Sequence, residues 1–501
     1  MQVISYWVEC MQKNTITNTT WANTGSWKST GNVAGILLLS TVLSSCAFQA
    51  YQPKPVVPAQ SAARYLAHDP TGEEFRQYLA STDYPQSELS IARWGLRELT
   101  LSALFFHPQL NVARTQWRAA MAGEITASQR PLPGISGGIE HHSQRDNGVS
   151  PWTYGLSIDL PIETAGKRQA RIDRATSLSN AARIDIAQNA WQVRSRLALS
   201  LIEYEYASEQ ARILQNEVAT RQEIVAMLEK RLEAGMVSTV ELSTSRLLLQ
   251  RAQQTMLAEQ GRIPELRAAV ASNSGLPLAA FSKLPLDETP LLTLASAPGK
   301  LPQSDTNNQM QQAAMLNRLD LRSALARYDA AEAKLRLEIA RQYPDILLSP
   351  GYTYDQGDRI WSLGFSTLLT MLHGNRGLIA EATALREVEA AQFEALQAQV
   401  IGDLEQAQQR YWAALNELRQ ARELQQAQLA RIQQSERQFE AGFIDRLEFT
   451  STRLEALLAE QNVLTVAYKV QRASASLEDV MQLPLQDIAS MPAQLDQAVS
   501  R

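Results

Sequence analysis

The stretch GLSIDLPIETAGK, residues 155–167, decides how this chain is built. Tyr154, Leu156, Ile158 and Leu160 alternate with Thr153, Gly155, Ser157 and Asp159, the two-residue period of a strand with one apolar and one polar face. The strand runs into Pro161, a turn follows, and a long polar stretch opens near Gly166. Residues 167–234 contain neither glycine nor proline. At a rise of about 1.5 Å per residue that is a helix of roughly 100 Å. The same order returns two hundred residues later as SLGFSTLLTMLHGNR, residues 362–376.

Reading outward from the first join, residues 133–161 form a β-hairpin around Arg145, Asp146, Asn147 and Gly148. The long helix, 166–234, ends at Gly235, a left-handed helix end. Ser238 and Glu241 make a capping box that opens a return helix, 238–274, with Gly261 and Pro264 expected to kink it. The second repeat, 309–485, copies the first, 87–275. It has a hairpin at 345–370, a long helix at 376–441, a turn at Gly442 and a return helix at 445–482 capped by Asp445 and Glu448. A helix near Ser87 is expected to carry Trp94, Leu96 and Leu99. Residues 46–86 read as an extended leader, 276–308 as a linker and 486–501 as a tail.

The 47 basic and 52 acidic residues nearly balance, which leaves no nucleic-acid footprint. Residues 1–45 read as a signal peptide whose apolar run, 34–43, is too short to span a bilayer. It ends in Leu43, Ser44, Ser45 and Cys46, the pattern of a lipobox. Cys46 is then the lipidated N-terminus, with an ordinary signal peptide and a chance cysteine as the alternative. Translation starts at Met1 or Met11. Cys10 leaves with the signal, so no disulfide remains. Ala47 after the cysteine favours outer-membrane delivery.

Four strands, apolar outside and polar inside, suit an outer-membrane barrel wall but cannot close, and open edges are forbidden in hydrocarbon. Two copies give eight strands and a filled lumen; three give twelve and an open one. The long helices require a wide ring, which favours three. The expected fold class is mainly α with transmembrane β: a trimeric 12-stranded barrel, four strands per protomer, continuous with a long α-helical periplasmic barrel. The apolar positions Ile184, Trp191, Leu197, Leu201, Ile213, Val218 and Leu228 suit a narrow coiled-coil seam.

The joins LPIETAGKRQARI and LTMLHGNRGLIAEA, the turns RLEAGMVSTVEL and QFEAGFIDRLEF, and HPQLNVAR and NRLDLRSA opening each repeat give the chain a resemblance to the TolC family of outer-membrane efflux factors. The GKR and GNRG joins look most like its heavy-metal branch. The resemblance implies a homotrimer in the outer membrane, docked through its periplasmic turns to a membrane-fusion adaptor and through that to an inner-membrane pump. The docking tips it implies are Gly235, Met236, Val237 and Ser238, with Gly442, Phe443, Ile444 and Asp445. Glu241 and Glu448 match the acidic periplasmic gate; as the third residues of capping boxes they also have a local explanation. Some members carry a second acid three residues on, where this chain has Thr244 and Ser451.

His141 and His142 point to opposite faces of a strand, so no metal site is expected. No cofactor motif, catalytic constellation or phosphate loop is present. The expected function is passive export from periplasm to exterior. The alternatives are a non-conducting coiled-coil lipoprotein that tethers envelope layers, and the exit duct of a type I protein secretion system.

Overall fold

The computed structural model describes residues 49–82, 84–85, 91–143, 148–287, 311–312, 314–368 and 373–483. Cys46, the signal peptide, the tail and most of the 276–308 linker lie outside them. The chain divides into two units, residues 1–61 and 62–501. In the first, residues 49–57 carry no regular structure and α1 (Pro58–Leu66) begins.

In the second unit, α2 (Glu73–Ala80), α3 (Leu96–Phe106) and α4 (Pro108–Ser128) precede a hairpin of β1 (Gly134–His141) and β2 (Trp152–Ile162). Then come α5 (Lys167–Glu233), α6 (Thr239–Asn273) and the short α7 (Leu278–Phe281). The second repeat supplies α8 (Leu319–Ala340), β3 (Ile346–Asp355), β4 (Asp358–Thr367), α9 (Arg376–Glu440) and α10 (Arg446–Met481). The helices α5 and α9 have 67 and 65 residues. No described helix is long and apolar enough to cross a membrane.

The two hairpins form one antiparallel sheet in the order β1-β2-β3-β4. The central pairing, β2 with β3, joins the repeats through Tyr154 with Tyr354, Leu156 with Tyr352 and Leu160 with Leu348. One face carries Trp152, Tyr154, Leu156, Ile158, Leu160, Leu363 and Phe365, all exposed. The other carries a polar ladder: Ser136 Oγ lies 2.7 Å from Ser157 Oγ, and Ser349 Oγ donates to Asp159 Oδ1 at 2.6 Å. The outer edges of β1 and β4 have no partner strand among the described residues.

Helix packing is lateral rather than central. The helix α5 touches α4, α6, α8 and α10, while α9 touches α8 and α10. Among the described residues, burial is divided among five apolar clusters spread along the helices. Trp191 is fully buried, and its Nε1 donates to Asp479 Oδ1 at 2.9 Å. Leu197, Leu201, Ile213, Val218 and Leu228 are also buried. Ile184 is only partly covered, its neighbour Ile186 taking the core position.

Three expectations need correction. The leader expected to be extended carries α1 and α2, because Phe75, Tyr78 and Leu79 share one helix face and bury it. Their cover is Trp94, Phe105 and Phe106, with Phe75 and Trp94 stacked at 6.1 Å. Each such side chain removed from water stabilises by about 1.5–3 kcal/mol, enough to order a short helix that has little of its own. The helix expected near Ser87 starts at Leu96, where Glu98 Oε2 accepts the Gly95 N–H; Trp94 instead bridges to Leu286. The linker's first part, through Leu286, is therefore core: Leu276, Phe281 and Leu284 are buried. The helix α6 holds Gly261 and Pro264 inside its span, Thr239–Asn273.

Candidate functional site at the paired helix turns

The helices α5 and α6 meet in a turn that Gly235 makes possible. Its φ is +72°, the left-handed region where a side chain is strained. Its N–H donates to Leu232 O at 2.9 Å and the Met236 N–H to Arg231 O at 2.8 Å. These bonds satisfy carbonyls that the helix end leaves open. The second turn repeats this with Gly442 at φ +78°, donating to Phe439 O, and Phe443 donating to Gln438 O at 2.8 Å.

Ser238 Oγ then accepts the Glu241 N–H at 3.2 Å, and Asp445 Oδ1 accepts the Glu448 N–H at 3.0 Å. Only this half of each expected capping box forms. The Glu241 and Glu448 carboxylates are exposed and have no hydrogen-bond or ion-pair partner among the described residues. Thr244 and Ser451 turn their hydroxyls back onto Val240 O and Leu447 O. They add no charge to the turns.

The structure brings the two turns together. Arg231 Nη2 donates to Asp445 Oδ2 at 2.6 Å, from the end of α5 to the cap of α10. The Glu448 N–H, then the Arg231 guanidinium, hold the Asp445 carboxyl below the usual carboxylate range. Beneath this pair Val237 and Leu447 pack with Leu228, Leu242 and Leu249. Phe439 and Phe449 stack at 5.3 Å. At the surface Met236 is 74% and Phe443 83% exposed, and Ile444 is half-buried. Beside the first turn, Thr239, Val240, Ser243, Thr244 and Leu247 line a groove on α6. Sequence reading missed the Arg231–Asp445 pair, whose partners stand 214 residues apart. The one available signal was their placement four residues before one turn glycine and three after the other.

At the opposite end of α5 the first join is pinned to the second repeat. Lys167 Nζ, whose side chain is 8% exposed, donates to Tyr343 O at 2.6 Å and to Asp345 Oδ1 at 2.7 Å. Thr164 N–H reaches the same carboxylate at 3.0 Å. The second join has Asn375 instead, which donates to Glu338 O at 2.8 Å. Among the described residues no group of His, Cys, Asp and Glu could hold a metal ion.

Residues 101–275 and 310–481, well over half of the chain and both repeats, match the family described as outer membrane efflux protein. The pyoverdine export outer membrane protein OpmQ of Pseudomonas putida is 23% identical over 402 residues, 74% of this chain and 81% of that protein. The cobalt-zinc-cadmium resistance protein CzcC of Cupriavidus metallidurans is 24% identical over 290 residues, 57% of this chain and 65% of that protein. The outer membrane protein VceC of Vibrio cholerae superposes with a TM-score of 0.61 at 17% identity, over 77% of this chain and 95% of that one. The chain belongs to the outer membrane efflux protein family: it is no enzyme but an outer-membrane channel of a tripartite efflux system, a homotrimer that works with an adaptor and an inner-membrane pump.

Proposed function

We propose that the paired turns are both the periplasmic mouth of the channel and its docking tip. The carrying observation is two carboxylates, Glu241 and Glu448, without a partner among the described residues, beside two turns that an ion pair ties together. In a homotrimer they repeat as acidic rings, which draw cations and repel anions. The exposed Met236 and Phe443, with Gly235, Val237, Ser238, Gly442, Ile444 and Asp445 around them, offer the adaptor a mixed apolar and polar surface. Twelve strands close when β1 of one copy pairs with β4 of the next, leaving no edge in lipid. Cys46 carries the lipid that holds the N-terminus at the membrane.

The cargo is what the pump delivers. Relatives named for pyoverdine export and for cobalt, zinc and cadmium resistance fit a duct that does not select by a binding pocket. The test is the conductance of purified full-length trimer in a planar bilayer. Discrete, cation-preferring steps are expected. Absence of conductance with the adaptor bound would overturn the reading of the turns as the mouth.

A further inference from the structure

Charge on the four-stranded sheet is sorted by face. The registers put Glu140, Asp159, Asp355 and Asp358 on the polar side. On the apolar side Arg359 is the one Asp, Glu, Lys or Arg among the described strand positions. It pairs in register with Tyr354, and the next residue on its side of β4 is Trp361, 81% exposed. An aromatic row crosses the sheet here: Trp361 beside Tyr352 at 4.9 Å, Tyr354 beside Tyr154 at 6.5 Å, and Trp152 beside His141 at 4.6 Å. The row lies at the end away from the helices, since α5 follows β2 and α9 follows β4 at the other end. Asp358 Oδ1 accepts the Arg359 backbone N–H at 2.8 Å. The exposed guanidinium itself has no partner among the described residues.

A band of amphipathic aromatics marks where the wall of a barrel meets water. Arg359 stands two residues beyond Trp361, about 7 Å farther along the strand, at the depth of the headgroups. A fork of N–H donors at that depth matches the two oxygens of a phosphate. Tyr354 O–H and Trp361 N–H supply donors on the same side.

We propose that Arg359, with Tyr354 and Trp361, binds the phosphate of a lipid in the outer leaflet, one site per protomer. Because β4 is an outer strand of the sheet, the lipid sits beside the seam between copies. This inference rests on the sheet being the membrane wall, which the conductance of the same preparation tests separately.

The experiment compares full-length wild type, Arg359→Ala and Arg359→Lys trimers in detergent. Each is offered bisphosphorylated lipid A, dephosphorylated lipid A or inorganic phosphate, and bound lipid is counted by native mass spectrometry. Wild type is expected to prefer the phosphorylated lipid about five-fold, the worth of one cation at a membrane surface. Arg359→Ala should lose that preference while conducting normally, and Arg359→Lys should keep part of it. Equal preference in wild type and Arg359→Ala would overturn the proposal. So would full competition by millimolar inorganic phosphate, which would make the ligand a free anion rather than a lipid.

Discussion

Removing the Arg231 guanidinium should loosen the periplasmic mouth. The pair with Asp445 is short, 2.6 Å, but its side chains are 33% and 55% exposed. Solvent screening therefore limits it to about 0.2–1 kcal/mol. Three copies that open together would lose about 0.6–3 kcal/mol, which is roughly a three-fold to hundred-fold gain in the open-to-closed ratio. Arg231→Ala leaves in place the apolar cluster against which Val237 and Leu447 both pack, so the turns should still fold. Asp445→Asn separates the two jobs of that residue, because asparagine still caps the helix while losing the ion pair. Both variants should raise mean conductance in a planar bilayer by similar factors, and the gain should shrink at 1 M salt, which already screens the wild-type pair. The pH dependence has a definite sign. The Glu448 N–H caps the carboxylate whether or not the turns are tied, so the part of the lowering that Arg231 supplies is what belongs to the closed state. It stabilises that state above the ordinary value, about 3.9, and stops doing so as pH falls through the lowered value. Wild-type conductance should therefore rise below about pH 4, and Arg231→Ala should show less of that rise. Unchanged conductance in both variants at low salt would refute the idea that this pair holds the mouth.

Three further outcomes are expected. Glu241→Ala combined with Glu448→Ala should lower the cation preference read from the reversal potential in a KCl gradient, and raise single-channel conductance; unchanged values would remove both residues from the gate. Gly275→Ala should destabilise the trimer by about 2–4 kcal/mol in thermal unfolding, since a Cβ there would stand 2.8 Å from His107 N at a φ of +77°. An unshifted melting temperature would refute that close approach. Burial, and then the nearby Arg196 charge, push the His107 imidazole down to about 4, so its protonation opposes folding. Stability should be full above about pH 6.5 and decline between there and pH 4, by about 1–2 kcal/mol once partial exposure is allowed for, and His107→Asn should flatten that slope.

What could be read from the sequence differs between elements for physical reasons. The hairpins were legible because each strand alternates polar and apolar residues, and a strand half in lipid needs that pattern locally. The turns were legible because a left-handed residue requires glycine, which Gly235 and Gly442 supply. The described residues between 62 and 95, and residues 276–287, were misread because neither carries a decisive local pattern. They fold on each other: Trp94 N–H donates to Pro285 O at 2.8 Å, and His68 Nδ1 meets Gly275 O at 2.9 Å. The capping boxes were half right. Sequence spacing puts an acid where it can reach back to the cap, and the backbone N–H takes the cap while the carboxylate stays in solvent.

The sequence by itself determined the duplication, the two strand-to-helix joins and the two glycine turns, because each depends on backbone conformation or on a period a few residues long. The tertiary structure decided which pieces meet. It joined β2 to β3 and so made two hairpins one sheet. It pinned the first join with Lys167 against Asp345 but left the second to Asn375. It set Arg231 against Asp445 and left Glu241 and Glu448 without a partner among the described residues. The β2–β3 pairing, Lys167 against Asp345 and Arg231 against Asp445 join residues about two hundred positions apart, and only the packing of the two repeats against each other creates them.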